Sequence, residues 1–281
     1  MKIDAHQHFW QFNLIRDTWM DEKTMGVIRR DFMPENLVPI LTKNGFDGCV
    51  AVQAEQSENE TRFLLELAEK NNFIHGVVGW IDLKSDLQHL ELQLDYFSAF
   101  PKLKGFRHIL QSEKPEFMLD SKFQDGVQLL GKKNFAYDIL VYPKHLETVR
   151  QFIKICSKKN DAQPFVIDHI AKPYIKKGLI SQWKKDITVL AKHENVFCKI
   201  SGLVTEADWT HWNEKDFTPY LDIVFENFGL DRIMYGSDWP VCLVASSYEK
   251  QLSIIENYIS KFSKEERNKI MGENATRFYS L

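Results

Sequence analysis

Eight short apolar runs recur along this chain, each closed by polar residues and followed by a stretch with helical spacing. They are KIDAHQHFW from Lys2, GCVAVQAEQ from Gly48, HGVVGWIDL from His75, LKGFRHIL from Leu103, AYDILVYP from Ala136, PFVIDHIAKP from Pro164, VFCKISGL from Val196 and RIMYGSDWPV from Arg232. Successive runs lie mostly about 30 residues apart, the length of a strand, a helix and their turns. Strands alternating with helices form a parallel sheet, because each helix returns the chain to start the next strand in the same direction. Eight such units in 281 residues predict one α/β domain, a (β/α)8 TIM barrel spanning 1–281. An open dinucleotide-binding sheet is disfavoured, since no G-x-G-x-x-G follows the first run.

The intervening segments carry helix signals. SENETRFLLELAEKN opens at Ser57 with S-x-x-E, the pattern of a capping box, and places Phe63, Leu64, Leu67 and Ala68 on one stripe. HLETVRQFIKICSKKN from His145 sets Val149, Phe152, Ile153 and Cys156 on one face, and the closing SKEERNKIMGENATRFYSL again begins S-x-x-E. The gap from Trp10 to Gly48 exceeds what one helix needs, so an insertion over the barrel mouth is expected there.

Apolar residues make up 44% of the chain, enough for a large core, and the formal net charge of −3 favours neither a nucleic acid nor a membrane surface as partner. Lys-rich IKKGLISQWKKD, from Ile175, is broken by apolar residues and reads as a solvated helix face. Cys49, Cys156, Cys198 and Cys242 lie far apart with no C-x-x-C pair, so buried, reduced packing thiols are expected. No signal-peptide core and no bilayer-length apolar run is present, and a cytoplasmic protein acting on a small molecule is the expectation. A homo-oligomer is compatible with this composition and is not specified by it.

In a barrel of this kind the active site lies at the C-terminal strand ends. Strand 1 ends in His6 and His8, two residues apart and so on one face of a strand. Strand 2 ends in Gln53 and Glu55, strand 3 in Trp80 and Asp82, and strand 4 in Arg107 and His108. Strand 5 carries Asp138 and Tyr142, strand 6 Asp168 and His169 with Lys172 beyond, strand 7 Lys199 and Ser201, and strand 8 Ser237 and Asp238. One polar end is expected of any strand. Titratable groups on nearly every strand end of one rim point to a functional site.

H-x-H on strand 1, a histidine ending strand 6 and an aspartate ending strand 8 resemble the amidohydrolase superfamily. IDAHQHFW, LKGFRHILQ, FVIDHIAKP, VFCKISGLVTEADW, YGSDWPVC and GENATRFY are more specific. They resemble its lactone-hydrolase branch, the group of L-fuconolactonase-like and L-rhamnonolactonase-like enzymes, over essentially the whole chain. The resemblance implies hydrolysis of a sugar-acid lactone by water attack on the carbonyl. Asp238 would be the general base, with His6, His8 and His169 as further catalytic residues. Arg107, His108, Gln53 and Tyr142 are candidates for gripping the substrate, and Trp80, Trp239 and Trp10 for walling it.

The lysine on strand 4 and the histidine ending strand 5 that two-metal members of the superfamily use have no counterparts here, since Arg107–His108 and Asp138–Tyr142 stand in those places. A binuclear centre is therefore not expected. His6, His8, His169 and Asp238 form a donor set for one divalent ion, with zinc the best match, and the chemistry also permits metal-free hydrolysis. Two other readings share this residue pattern: a metal-dependent decarboxylase of the same superfamily, and a hydrolase of a dicarboxylic lactone of the muconolactone or pyrone type.

Overall fold

The computed structural model describes residues 1–157 and 163–281. Eight parallel strands follow in sequence order as one sheet: β1 (Ile3–Gln7), β2 (Gly48–Val52), β3 (Ile74–Gly79), β4 (Leu103–His108), β5 (Ala136–Ile139), β6 (Phe165–Ile167), β7 (Val196–Ile200) and β8 (Ile233–Tyr235). Each expected strand is present. The seam between β8 and β1 is closed by the parallel bridge Gln7–Trp239. There the His8 N–H donates to the Trp239 carbonyl at 2.7 Å and the Asp238 N–H to the His6 carbonyl at 2.8 Å. The result is the (β/α)8 barrel.

Helices α1 (Pro34–Lys43), α2 (Glu58–Lys70), α3 (Leu87–Phe97), α4 (Ser121–Lys132), α5 (Leu146–Ser157), α6 (Ser181–Leu190), α7 (Thr218–Phe228) and α8 (Tyr248–Ile259) alternate with the strands. Two short helices, α9 (Lys264–Asn268) and α10 (Asn274–Tyr279), end the chain. The capping box expected at Ser57 is half made. Ser57 Oγ accepts the Glu60 N–H at 3.1 Å, but the Glu60 carboxylate turns to the N–H groups of Ala54 and Glu55. At Ser263 the box is complete, with Glu266 reaching back to the Ser263 N–H at 2.8 Å. On α5, Val149, Phe152, Ile153 and Cys156 are all fully buried; the last three residues of the expected helix, 158–160, lie outside the described residues. All four cysteines are buried and unpaired in disulfides.

The apolar side chains form two layers. Between sheet and helices lies the larger one. Inside the barrel a narrower set (Ile3, Ala5, Val50, Val52, Val78, Ala136, Val166 and Met234) packs on Ala275, Phe278 and Tyr279 of α10, which plugs the N-terminal end. Strand β1 breaks the expected alternation. Its register with β2 shifts between Asp4 and Gln7, so a bulge inserts a residue. Asp4 thereby points outward, its carboxylate accepting from Tyr248 Oη at 3.1 Å and from the Ser237 N–H at 2.8 Å. His6 and His8 turn inward while Gln7 reaches out to Cys49. The Trp10–Gly48 insertion does cover the mouth, pinned by antiparallel pairing of Trp10 with Phe32.

Phe278 packs against Phe197 and Tyr279 at ring separations of 4.8 and 4.7 Å, on the face opposite the strand ends. Phe278→Ala is expected to lower stability by roughly 3 kcal/mol, in the range for truncating a buried phenylalanine. Urea unfolding checks this, and KM should be unchanged.

Candidate active site

Four side chains converge on the axis at the C-terminal end. Asp238 Oδ1 lies 3.4 Å from His8 Nε2, 3.8 Å from His169 Nε2 and 3.9 Å from His6 Nε2, and the two strand-1 rings approach to 3.3 Å between Nε2 atoms. The backbone that aims them is unusual. Asp238 has φ of 56°, and His169, Ile170, Ala171 and Lys172 are four consecutive residues in the left-handed region. Such conformations cost on the order of 1 kcal/mol each for non-glycine residues and concentrate at functional sites. Gly202, at φ of 61°, lets β7 pass the His169 ring: a Cβ there would lie 2.7 Å from Nδ1.

The hydrogen bonds leave the ring nitrogens with defined roles. His8 Nδ1–H donates to the Val52 carbonyl at 2.7 Å, so a neutral His8 presents a bare Nε2 to Asp238. Two acceptors facing each other at 3.4 Å require a proton or a cation between them. His169 Nδ1 bonds Ser201 Oγ at 2.8 Å. Burial holds both His6 and His169 well below the ordinary histidine range, favouring neutral rings. Burial opposes ionisation of Asp238, but His169, His8 and Lys172 around it outweigh that and keep its carboxyl below the usual range.

Donors about 2.0–2.2 Å from a tetrahedral zinc are separated by roughly 3.3–3.6 Å. The spacings of 3.3, 3.4, 3.8 and 3.9 Å among these four groups come close to that. His6, His8 and Asp238 form one candidate metal-holding group, and His6, Asp168 and His169 another, among the described residues. The donor set therefore fits one small divalent ion. Arg107 Nη1 stands 3.3 Å from His6 Nε2, however, so a guanidinium and an ion draw on the same lone pair.

Beneath this cluster lies a buried ionic network of residues that strand-end reading placed on the rim but, Arg107 apart, gave no role. Lys199 on β7 contacts Asp138 on β5 at 2.6 Å, Asp168 at 3.1 Å and His6 Nδ1 at 3.2 Å. Arg107 on β4 bonds Asp168 at 3.0 Å and the Gln53 carbonyl. Tyr279 of α10 donates to Asp138 from below at 2.8 Å. Burial acts to raise Asp168, but Lys199, His6 and Arg107 overcome it and hold that carboxyl well below its ordinary value. Burial prevails at Asp138, pushing it up to about 6.

A cavity of about 210 Å³ opens above the cluster, lined by His8, Trp10, Arg107, His169 and Asp238 among the expected residues. Trp19, Ile109, Gln111, Ser112, Leu140 and Lys172 also line it, most of them from loops that carry no periodic signal. His6 sits just below, fully buried. Five expected substrate contacts lie elsewhere. Gln53 is buried, donating its amide to the Arg107 carbonyl at 3.0 Å. His108 turns aside, accepting from Trp80 Nε1–H at 3.3 Å and stacking on Phe117. Trp80 is engaged in that contact, and Trp239 packs in the core against Phe9 and Phe32. Tyr142 stands beside Lys172, 5.6 Å from its ammonium, outside the lining.

Comparison with known proteins agrees with this architecture. The amidohydrolase family model matches residues 3–281, and the chain belongs to that family. The L-fucono-1,5-lactonase of Burkholderia multivorans is 38% identical over 293 residues, covering 100% of this chain and 96% of that protein. The L-rhamnono-gamma-lactonase of Scheffersomyces stipitis is 24% identical over 66% of this chain and 61% of that protein. A crystal structure of a Burkholderia multivorans amidohydrolase with bound zinc superposes with a TM-score of 0.92 at 38% identity, covering 100% of this chain and 99% of that one. No helix among the described residues is long and apolar enough to cross a membrane.

Removing Lys199 leaves Asp168 with the Arg107 guanidinium and Asp138 with only the Tyr279 hydroxyl. Lys199→Met is expected to destabilise the protein by roughly 3–5 kcal/mol, the cost of breaking a buried ion pair from one side. Adding Asp138→Asn should restore part of that loss, which a double-mutant cycle by urea denaturation measures.

Proposed function

We propose that this protein hydrolyses a sugar-acid lactone, of the L-fucono-1,5-lactone type, to the aldonic acid. The observation that carries the reading is Asp238 held against three histidines on the floor of a cavity with an arginine at its wall. The naming of full-length relatives at 35–38% identity as L-fucono-1,5-lactonases supports it.

A lactone is a strained or activated ester, so its opening demands less transition-state stabilisation than amide cleavage. Asp238 Oδ1 faces the histidines, which leaves Oδ2 to receive a proton from water on the cavity side. The water oxygen bonds to the carbonyl carbon, giving a tetrahedral oxyanion. Arg107 and Lys172, both lining the cavity, supply fixed positive charge to it. As the oxyanion collapses the bond to the ring oxygen breaks, and Asp238 returns its proton to that oxygen. The product acid then releases its own proton at neutral pH. His8, locked by Val52, orients the water through its bare Nε2. A divalent ion held by His6, His8, His169 and Asp238, with zinc the best chemical match, would supply Lewis-acid polarisation of carbonyl or water.

Asp238→Asn is expected to lower kcat by about 10²–10⁴-fold, the usual contribution of a general base, with a near-native thermal transition. Retained turnover would remove Asp238 from the mechanism. Competition from Arg107 for His6 Nε2 leads to a second expectation, that exhaustive chelation lowers lactone hydrolysis by less than about tenfold because residue-based charge stabilisation persists. Proton release measured before and after zinc is restored checks it, and complete loss with full recovery would make the ion essential.

A further inference from the structure

A second compartment adjoins the catalytic cavity. It measures about 220 Å³ and shares Trp10, Trp19 and Ala54 with the first, so the two chambers meet at one wall. Nothing in the proposed hydrolysis uses it. We propose that it is a subsite for a neutral sugar substituent carried on the lactone ring, so that the substrate class includes glycosylated sugar lactones; the inference rests on the lactonase reading above.

Its walls suit a sugar ring. Trp19 and Phe63 present aromatic surface, against which the C–H face of a pyranose can pack, while Phe9 and Trp10 line the compartment as buried rings. Trp19 is 47% exposed, with its edge on Trp10 at 6.2 Å. A tryptophan held that far in water at a barrel mouth gains little for folding and offers a platform for a ligand. The hydrogen-bonding groups at its exposed rim include two amides, Gln11 and Asn59, beside the Glu55 carboxylate. Such groups recognise hydroxyls.

Charge selects the ligand class. Among the described residues the one cation lining the compartment, Arg16, is already committed to Asp17 at 2.7 and 2.8 Å, to Glu55 at 3.2 Å and to the Gln11 carbonyl at 2.6 Å. Among the described residues no unpaired positive group remains there for a phosphate or carboxylate, and the neighbouring Asp17 and Glu55 disfavour an anion. A neutral polyhydroxylated group meets none of these objections.

The test compares L-fucono-1,5-lactone with its three mono-O-glucosyl derivatives, at O2, O3 and O4, by proton release. At least one derivative is expected to show kcat/KM equal to or above that of the parent lactone. Asn59→Trp and Gln11→Trp, each filling the second compartment from its rim, are expected to lower that value tenfold or more while leaving the parent lactone within twofold. Either variant suffices if the other fails to fold. Turnover of the parent with none of the three derivatives accepted overturns the subsite, as does an equal loss on both substrates in the variants. Failure to hydrolyse the parent lactone or any of its derivatives would instead overturn the lactonase reading, and the subsite with it.

Discussion

The seam where β8 meets β1 does two jobs with the same atoms. A parallel barrel has no stable edge, so its last strand must bond to its first. Here the bonds are made by the residues just beyond β8: Ser237 N–H to the Asp4 carboxylate, Asp238 N–H to the His6 carbonyl, and His8 N–H to the Trp239 carbonyl. Closing the barrel therefore carries Asp238 to the histidines. Its left-handed backbone conformation is maintained because these hydrogen bonds over-determine it. Gly236 belongs to the same constraint, since a Cβ there would stand 2.6 Å from the His6 Cβ.

The ionic layer below the cluster is costly by itself. Ion pairs at full burial lose more hydration than their attraction restores, and well-packed apolar groups often serve stability better. Lys199, Asp138, Asp168 and Arg107 are nonetheless all buried inside the barrel. Their arrangement bears on His6. Arg107 reaches its Nε2 at 3.3 Å and Lys199 its Nδ1 at 3.2 Å, both as donors, while Asp168 stands 3.3 Å from Nδ1. A ring with no solvent contact is thus held between two cations and a carboxylate.

The fold was legible because parallel strands covered on both faces read as short apolar runs, and eight of them at near-regular spacing leave few alternatives. His6, His8, His169 and Asp238 were legible for a related reason, since strand ends in a barrel converge whatever the loops do. Three things were not. The β1 bulge puts Asp4 and His6 on opposite sides of the strand although they are two residues apart, and a register shift leaves no mark in residue types. Lys199 and Asp138 stand on strands as isolated charges, and only the closed barrel shows that they point at each other. Trp239 and His108 follow strand ends as expected but turn into packing, because direction after the last strand residue is decided by loop conformation.

The same ionic layer bears on how many cations the barrel can hold. A divalent ion is held by negative charge left uncompensated by the protein. Among the described residues Asp238 is the one carboxylate that lines the cavity, and it is surrounded by ring nitrogens. Asp138 and Asp168 already face the ammonium of Lys199, and Asp168 faces the guanidinium of Arg107 as well. Two side-chain cations thus stand among the carboxylates at the barrel's centre. They cannot dissociate, and Arg107 reaches the cavity wall. In this barrel, the fixed charges on β4 and β7 already compensate Asp138 and Asp168, and Arg107 sets a permanent cation at the cavity wall.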